Sequence, residues 1–141
     1  MRTIRIRTKV KRRHPEHDLQ KSFFQWLRDC LPKYRRYFYA NVNAAKLSKF
    51  QGQWLIDEGK QAGVLDVFCM IPAGGKHGFY IEFKIGNNKL TSEQKDFAAQ
   101  ALAMDYAVAV CYTLDQAMKV VKSYLTSDSD QTSTGDFSAI S

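Results

Sequence analysis

Asp66 and Glu82 each interrupt a run of apolar residues, and Lys84 follows Glu82 by two positions in Ile81-Glu82-Phe83-Lys84. In an extended strand, residues two apart share a face, roughly 6–7 Å from one another. Glu82 and Lys84 therefore project together while Phe83 packs on the other side. Burying an ionised carboxylate without a partner is costly, so each acid needs a compensating cation. One reading is a set of buried ion pairs, such as Glu82 with Lys84. The other is a seat for a hard divalent cation, and two acids plus a lysine on adjacent paired strands favour it. Mg²⁺ or Mn²⁺ suits such oxygen ligands, because either keeps several waters and leans on substrate phosphate for the rest of its shell. It would polarise a phosphoryl oxygen and lower the pKa of a bound water. Lys84 would orient that water or offset charge building on the phosphate. The chemistry that such a site would carry out is phosphodiester hydrolysis.

The elements that must carry these residues follow from periodicity and turn signals. Pro15 suits the first turn of a helix, and Leu19, Phe23, Trp26, Leu27 and Cys30 repeat at helical spacing as an inward stripe ending before Pro32. Tyr37 to Val42 reads as a strand. Ser48 with Gln51 resembles a capping box opening a helix through Trp54, Leu55 and Ile56, with Gly59 and Gly63 marking its exit. The apolar runs Val64 to Ile71 and Phe79 to Ile85 are separated by Pro72-Ala73-Gly74-Gly75-Lys76-His77-Gly78. That is turn chemistry, so the two runs should pair as an antiparallel hairpin. Thr91 with Gln94 again predicts a capped helix, carrying Phe97, Ala98, Ala101, Leu102 and Met104. Tyr106 to Tyr112 is a continuous apolar strand to be buried on both faces, and Leu114 to Leu125 is a last amphipathic helix. The order is helix, strand, helix, two strands, helix, strand, helix.

Other residues carry weaker signals. Glu16 hangs at the edge of the first helix, where it could reach a metal directly or through water; an acid in a first turn also simply suits the helix dipole. Gln94 can point into the site or serve only its capping box. His14 and His17 flank Pro15-Glu16 without cysteine nearby, which favours solvated helix-start residues over zinc ligands. Lys46, Lys49 and Lys60 are either phosphate contacts or ordinary surface lysines. Tyr34-Arg35-Arg36-Tyr37 interleaves aromatic and basic residues, as nucleic-acid binders do.

Length and charge bound the partners. The 141 residues suffice for one domain. No apolar run reaches the ~20 residues of a membrane span, and the basic N-terminus is no secretory signal. Three widely spaced cysteines, Cys30, Cys69 and Cys111, argue for buried thiols in a reducing cytosol. The net charge of +7 comes from 21 basic and 14 acidic side chains. All of the excess lies in residues 1–13, where Arg2, Arg5, Arg7, Lys9, Lys11, Arg12 and Arg13 meet no acid. Such an arm reads as a polyanion-binding element, with Arg5, Arg7, Lys9, Lys11, Arg12 and Arg13 as candidate phosphate contacts. The bland alternative is a solvated leader. Residues 126–141 are rich in Ser, Thr and Asp and read as a disordered polar tail.

Taken together, Glu16, Gly63-x-x-Asp66, Glu82-x-Lys84 and the trailing Gln94 resemble the PD-(D/E)xK nuclease superfamily. The match is closest to its VRR-NUC (virus-type replication-repair nuclease) group and spans residues 14–125, leaving the arm and the tail outside. Leu65 stands where the group often has proline. The resemblance implies an α/β, restriction-endonuclease-like fold, a mixed central β-sheet flanked by helices. It implies Asp66, Glu82 and the carbonyl of Phe83 as metal ligands, with Glu16 as the acid from the first helix. Lys84 would be the catalytic lysine and Gln94 a further site residue. It also implies a homodimer similar to Holliday-junction resolvases. The expectation is a Mg²⁺- or Mn²⁺-dependent endodeoxyribonuclease acting on structured or branched DNA in the cytoplasm. The rivals are a flap, nick or other structure-specific nuclease, and a non-catalytic DNA-binding protein on a nuclease scaffold.

Overall fold

The computed structural model describes residues 14–41 and 48–127. Helix α1 (Pro15–Cys30) begins with its proline in the first turn and is followed by a single-turn helix α2 (Pro32–Arg35). Strand β1 (Phe38–Ala40) precedes helix α3 (Lys49–Asp57), and the chain then returns through β2 (Val67–Cys69) and β3 (Phe79–Phe83). Helix α4 (Ser92–Ala103), strand β4 (Ala107–Cys111) and helix α5 (Leu114–Thr126) complete it. Both anticipated capping boxes form, Ser48 with Gln51 on α3 and Thr91 with Gln94 on α4.

The sheet is mixed, in the order β1-β2-β3-β4. β1 and β2, and β2 and β3, pair antiparallel, so the expected hairpin across the glycine-rich turn is present. β3 and β4 run parallel, with α4 between them in the chain, because parallel strands need a crossover rather than a tight turn.

Strand alternation sorts the side chains into two cores. Phe38, Val67, Cys69, Phe79, Ile81 and Phe83 meet Phe23 and Leu27 of α1 and Val121 and Tyr124 of α5. Leu65 and Val108 meet Ala98 and Ala101 of α4 on the other side. β4 thus contributes to both cores, as its unbroken apolar run requires. The face that packs on α4 is also the one that carries Glu82 and Lys84. Among the described residues, no helix is long and apolar enough to cross a membrane.

Four expectations are corrected. Cys30 is exposed, not buried, because the chain turns at Leu31 and Leu31 packs on the core in its place. Pro32 ends α1 and also opens α2, whose one turn the apolar pattern did not mark. The first strand is only Phe38–Ala40, with Asn41 just beyond it and Val42 outside the described residues. Met104 caps the end of α4 and is exposed rather than inward. Helix α5 runs to Thr126, and residues 128–141 of the expected tail lie outside the described residues, as does the basic arm at 1–13.

Candidate active site

The register of the sheet brings the acids together. Val67 pairs with Ile81, which puts Asp66 across from Glu82 at the mouth of the hairpin. The Asp66 backbone N–H donates to Glu82 Oε2 at 2.9 Å, and the Phe83 N–H donates to Asp66 Oδ2 at 2.9 Å. Each carboxylate is therefore tied to the backbone of the other's strand. Lys84 Nζ lies 3.4 Å from Glu82 Oε1, so the ion pair of the bland reading exists. It leaves two acids to share one ammonium. Gln94 Nε2 donates to Glu82 Oε1 at 2.8 Å, so Gln94 serves its capping box and the site at once.

Burial governs the electrostatics. Glu82 is 2% and Lys84 8% exposed, the only buried charged side chains among the described residues. Burial, then the neighbouring Asp66 carboxylate, pushes Glu82 up to about 7. Burial also raises Asp66, against the lowering pull of the Phe83 N–H and Lys84, with Glu16 adding to the rise.

Neighbouring loops fix this pair in place. Asn41 donates from its backbone N–H to Asp66 O at 2.8 Å and from Nδ2 to Leu65 O at 2.7 Å, pinning the chain that delivers Asp66 to β2. Gly63 has φ +82°, and a Cβ there would stand 2.5 Å from the carbonyl oxygen of Glu93. Glycine is thus required twice over, by conformation and by the close approach of α4.

A cleft of about 590 Å³ opens over the site, and Glu16 lines it together with Asp66, Glu82, Lys84 and Gln94. Asn88 Nδ2 holds Glu16 Oε1 at 3.2 Å, and Tyr112 Oη donates to the carbonyl of Asn88 at 3.0 Å. Glu58 and Glu93 also line the cleft, and Lys60 is its second lysine. With five carboxylates against two ammonium groups, the cleft is acidic.

No protein-family model and no curated protein sequence matches this chain. A solved structure described as a VRR_NUC domain protein resembles it with a TM-score of 0.68 at 24% identity, over 83% of this chain and 93% of that one. The chain has the VRR-NUC fold.

Within this VRR-NUC fold the structure gathers Asp66, Glu82, Lys84 and Gln94 by direct contact and brings Glu16 to the same cleft. Phe83 contributes its backbone, its ring being wholly buried in the α1 core. Among the described residues no group of three or more His, Cys, Asp or Glu side chains closes into a metal cage. The donor set, two carboxylates open to a cleft, fits a cation that completes its shell with water and phosphate, and does not fit a closed zinc site. His14 and His17 are exposed at the start of α1. Lys60 is at the cleft, Lys49 is exposed on α3, and Lys46 lies outside the described residues.

The Tyr34–Tyr37 segment has structural duties. Arg35 stacks its guanidinium 4.6 Å from the Phe24 ring centroid and donates to the Phe38 carbonyl at 3.0 Å, joining α1 to β1. Asn41 and Asn88 were missed from sequence. A polar residue ending an aromatic strand was a usable signal for Asn41, whereas Asn88 meets Glu16 across 72 residues with no local sign.

Proposed function

We propose that this protein is a Mg²⁺- or Mn²⁺-dependent endodeoxyribonuclease that hydrolyses phosphodiester bonds in branched or structured DNA, in the manner of a Holliday-junction resolvase. The observation that carries the reading is the cross-strand pair of half-buried Asp66 and buried Glu82, set beside Lys84 and open to a cleft. The VRR-NUC fold supports it. A purely structural ion pair needs one acid; here two acids share the single Lys84 ammonium, and a further cation would balance the second. The acidic cleft argues the same way, since five carboxylates repel a phosphate backbone unless cations intervene.

Asp66 and Glu82 would hold the ion, with the carbonyl of Phe83 on the strand edge from which its N–H reaches Asp66. Glu16, held by Asn88, would reach it through water. When bound, the ion supplies Lewis acidity to the phosphoryl oxygen and an acidified water. Lys84 would orient the attacking water and offset the charge that gathers on phosphorus oxygens. Water adds to phosphorus as the bridging P–O bond breaks, without a covalent enzyme intermediate. Gln94 keeps the Glu82 carboxylate turned toward Asp66.

Cutting two strands of a junction calls for two facing sites, hence a homodimer. Phe50, Trp54 and Ile56 stand exposed on α3, a set of apolar side chains that an interface would cover. Light scattering at micromolar concentration tests this, and an active monomer refutes it.

The deciding experiment is cleavage of a labelled four-way junction and of linear duplex, with Mg²⁺, Mn²⁺ or EDTA. The expected result is metal-dependent cutting that favours the junction, lost in Asp66→Ala and Glu82→Ala while both variants still bind DNA in EDTA. Full activity of either variant overturns the site. Tight binding by wild type without cutting under any metal leaves a DNA-binding protein instead.

A further inference from the structure

Gln94 is the third residue of α4, where a capping box is served by glutamate or glutamine alike. A glutamate would also favour the positive end of the helix. The geometry shows what glutamate could not do here. Gln94 Oε1 accepts the Thr91 N–H at 2.9 Å, and the Gln94 N–H donates back to Thr91 Oγ1 at 3.2 Å. A carboxamide has one oxygen and one NH₂ group. With the oxygen engaged by Thr91, the NH₂ must face Glu82 Oε1, which it meets at 2.8 Å. Flipping the amide would set oxygen against the Glu82 carboxylate and NH₂ against a backbone N–H. The ring closed by Thr91 therefore fixes the polarity of the group that touches Glu82.

That ring also rests on the other acid's loop. The Glu93 backbone in the first turn of α4 packs directly on Gly63, three residues before Asp66. Glu82 Oε1 receives Gln94 and Lys84 while Oε2 receives the Asp66 N–H, so both oxygens are oriented.

We propose that Thr91 is a positioning residue of the active site: its hydroxyl anchors the Gln94 backbone N–H and so sets the Gln94 carboxamide that holds the Glu82 carboxylate in the orientation facing Asp66 and a bound divalent cation. The inference rests on the metal-site reading above. Thr91 touches neither acid, so its effect is smaller than that of a residue in direct contact with a ligand, whose loss costs about 10–100-fold in metal affinity.

Four variants test it: Thr91→Ser, Thr91→Val, Thr91→Gly and, as a capping control, Ser48→Ala in the matching box of α3. Glycine is tolerated at a helix cap, so Thr91→Gly removes the hydroxyl while keeping the fold. Mn²⁺ affinity is measured by calorimetry, and hydrogen exchange of the Gln94 side-chain amide by NMR on the metal-free protein. Expected are Mn²⁺ binding about fivefold weaker in Thr91→Val and Thr91→Gly, faster amide exchange in both, and near wild-type values for Thr91→Ser and Ser48→Ala. Wild-type exchange and Mn²⁺ binding in Thr91→Gly overturn the proposal, as does an equal loss of affinity in Ser48→Ala. Absence of Mn²⁺ binding by wild type defeats the metal reading instead, and the exchange rates then decide the role of Thr91 alone.

Discussion

Raising the pH of the metal-free protein should weaken its fold, with Glu82 as the main cause. Its carboxyl is pushed up to about 7 in the folded chain from an ordinary value of 4.5. A folded-state value above the unfolded one means that the native protein holds the proton more tightly. The stabilisation is complete below the ordinary value and is lost as pH rises through about 7. Integrated between pH 5 and pH 8, that difference amounts to roughly 2–3 kcal/mol. Asp66, raised by burial, acts in the same direction. Urea unfolding in EDTA reads the effect directly: with an m-value of about 2 kcal/mol/M, the midpoint should fall by about 1 M. The change should be much reduced in Glu82→Gln, whose side chain cannot ionise, and the difference between the two proteins isolates the coupled Glu82–Asp66 pair from the distant titrating groups. A divalent ion at about a hundred times its Kd should restore about 2.7 kcal/mol at the upper pH. Equal pH dependence in wild type and Glu82→Gln would refute the reasoning, as would a wild-type midpoint that rises with pH.

Two further expectations concern the loop and the arm. Gly63→Ala forces a Cβ to 2.5 Å from the Glu93 carbonyl at φ +82°, so it should cost about 2–4 kcal/mol of stability by denaturant melt and lower Mn²⁺ affinity with it. A melt within 0.5 kcal/mol of wild type, the ordinary surface range, would show that the approach is not tight. Deleting residues 1–13 should weaken DNA binding in EDTA and flatten its salt dependence by up to about six in slope; an unchanged slope would remove the arm from the phosphate contacts.

The arrangement of the candidate site was legible where it depends on short-range geometry. Period-two alternation alone puts Glu82 and Lys84 on one face, and the glycine-rich turn folds β2 back so that Asp66 meets Glu82. The capping boxes at Ser48 and Thr91 involve residues three apart, and both form. What escaped depends on distant packing. Asn41 is tied to Leu65 across 24 residues, and Asn88 reaches Glu16 only because α1 and the loop after β3 meet in space. The second role of Gln94 was open between cap and site, because nothing local reveals that α4 begins beside β3; the structure shows both hydrogen bonds. Cys30 followed its helical stripe in sequence, yet the stripe outruns the sheet beneath it.

That last departure has a practical consequence. Cys69 and Cys111 sit in the interior with thiols pushed up to about 11 and about 12, whereas Cys30 stands at the surface where α1 ends. At neutral pH a maleimide dye should therefore attach at one place on the native chain, with no cysteine needing replacement. Fluorescence anisotropy from that single label offers a test of DNA binding with no substitution in the chain.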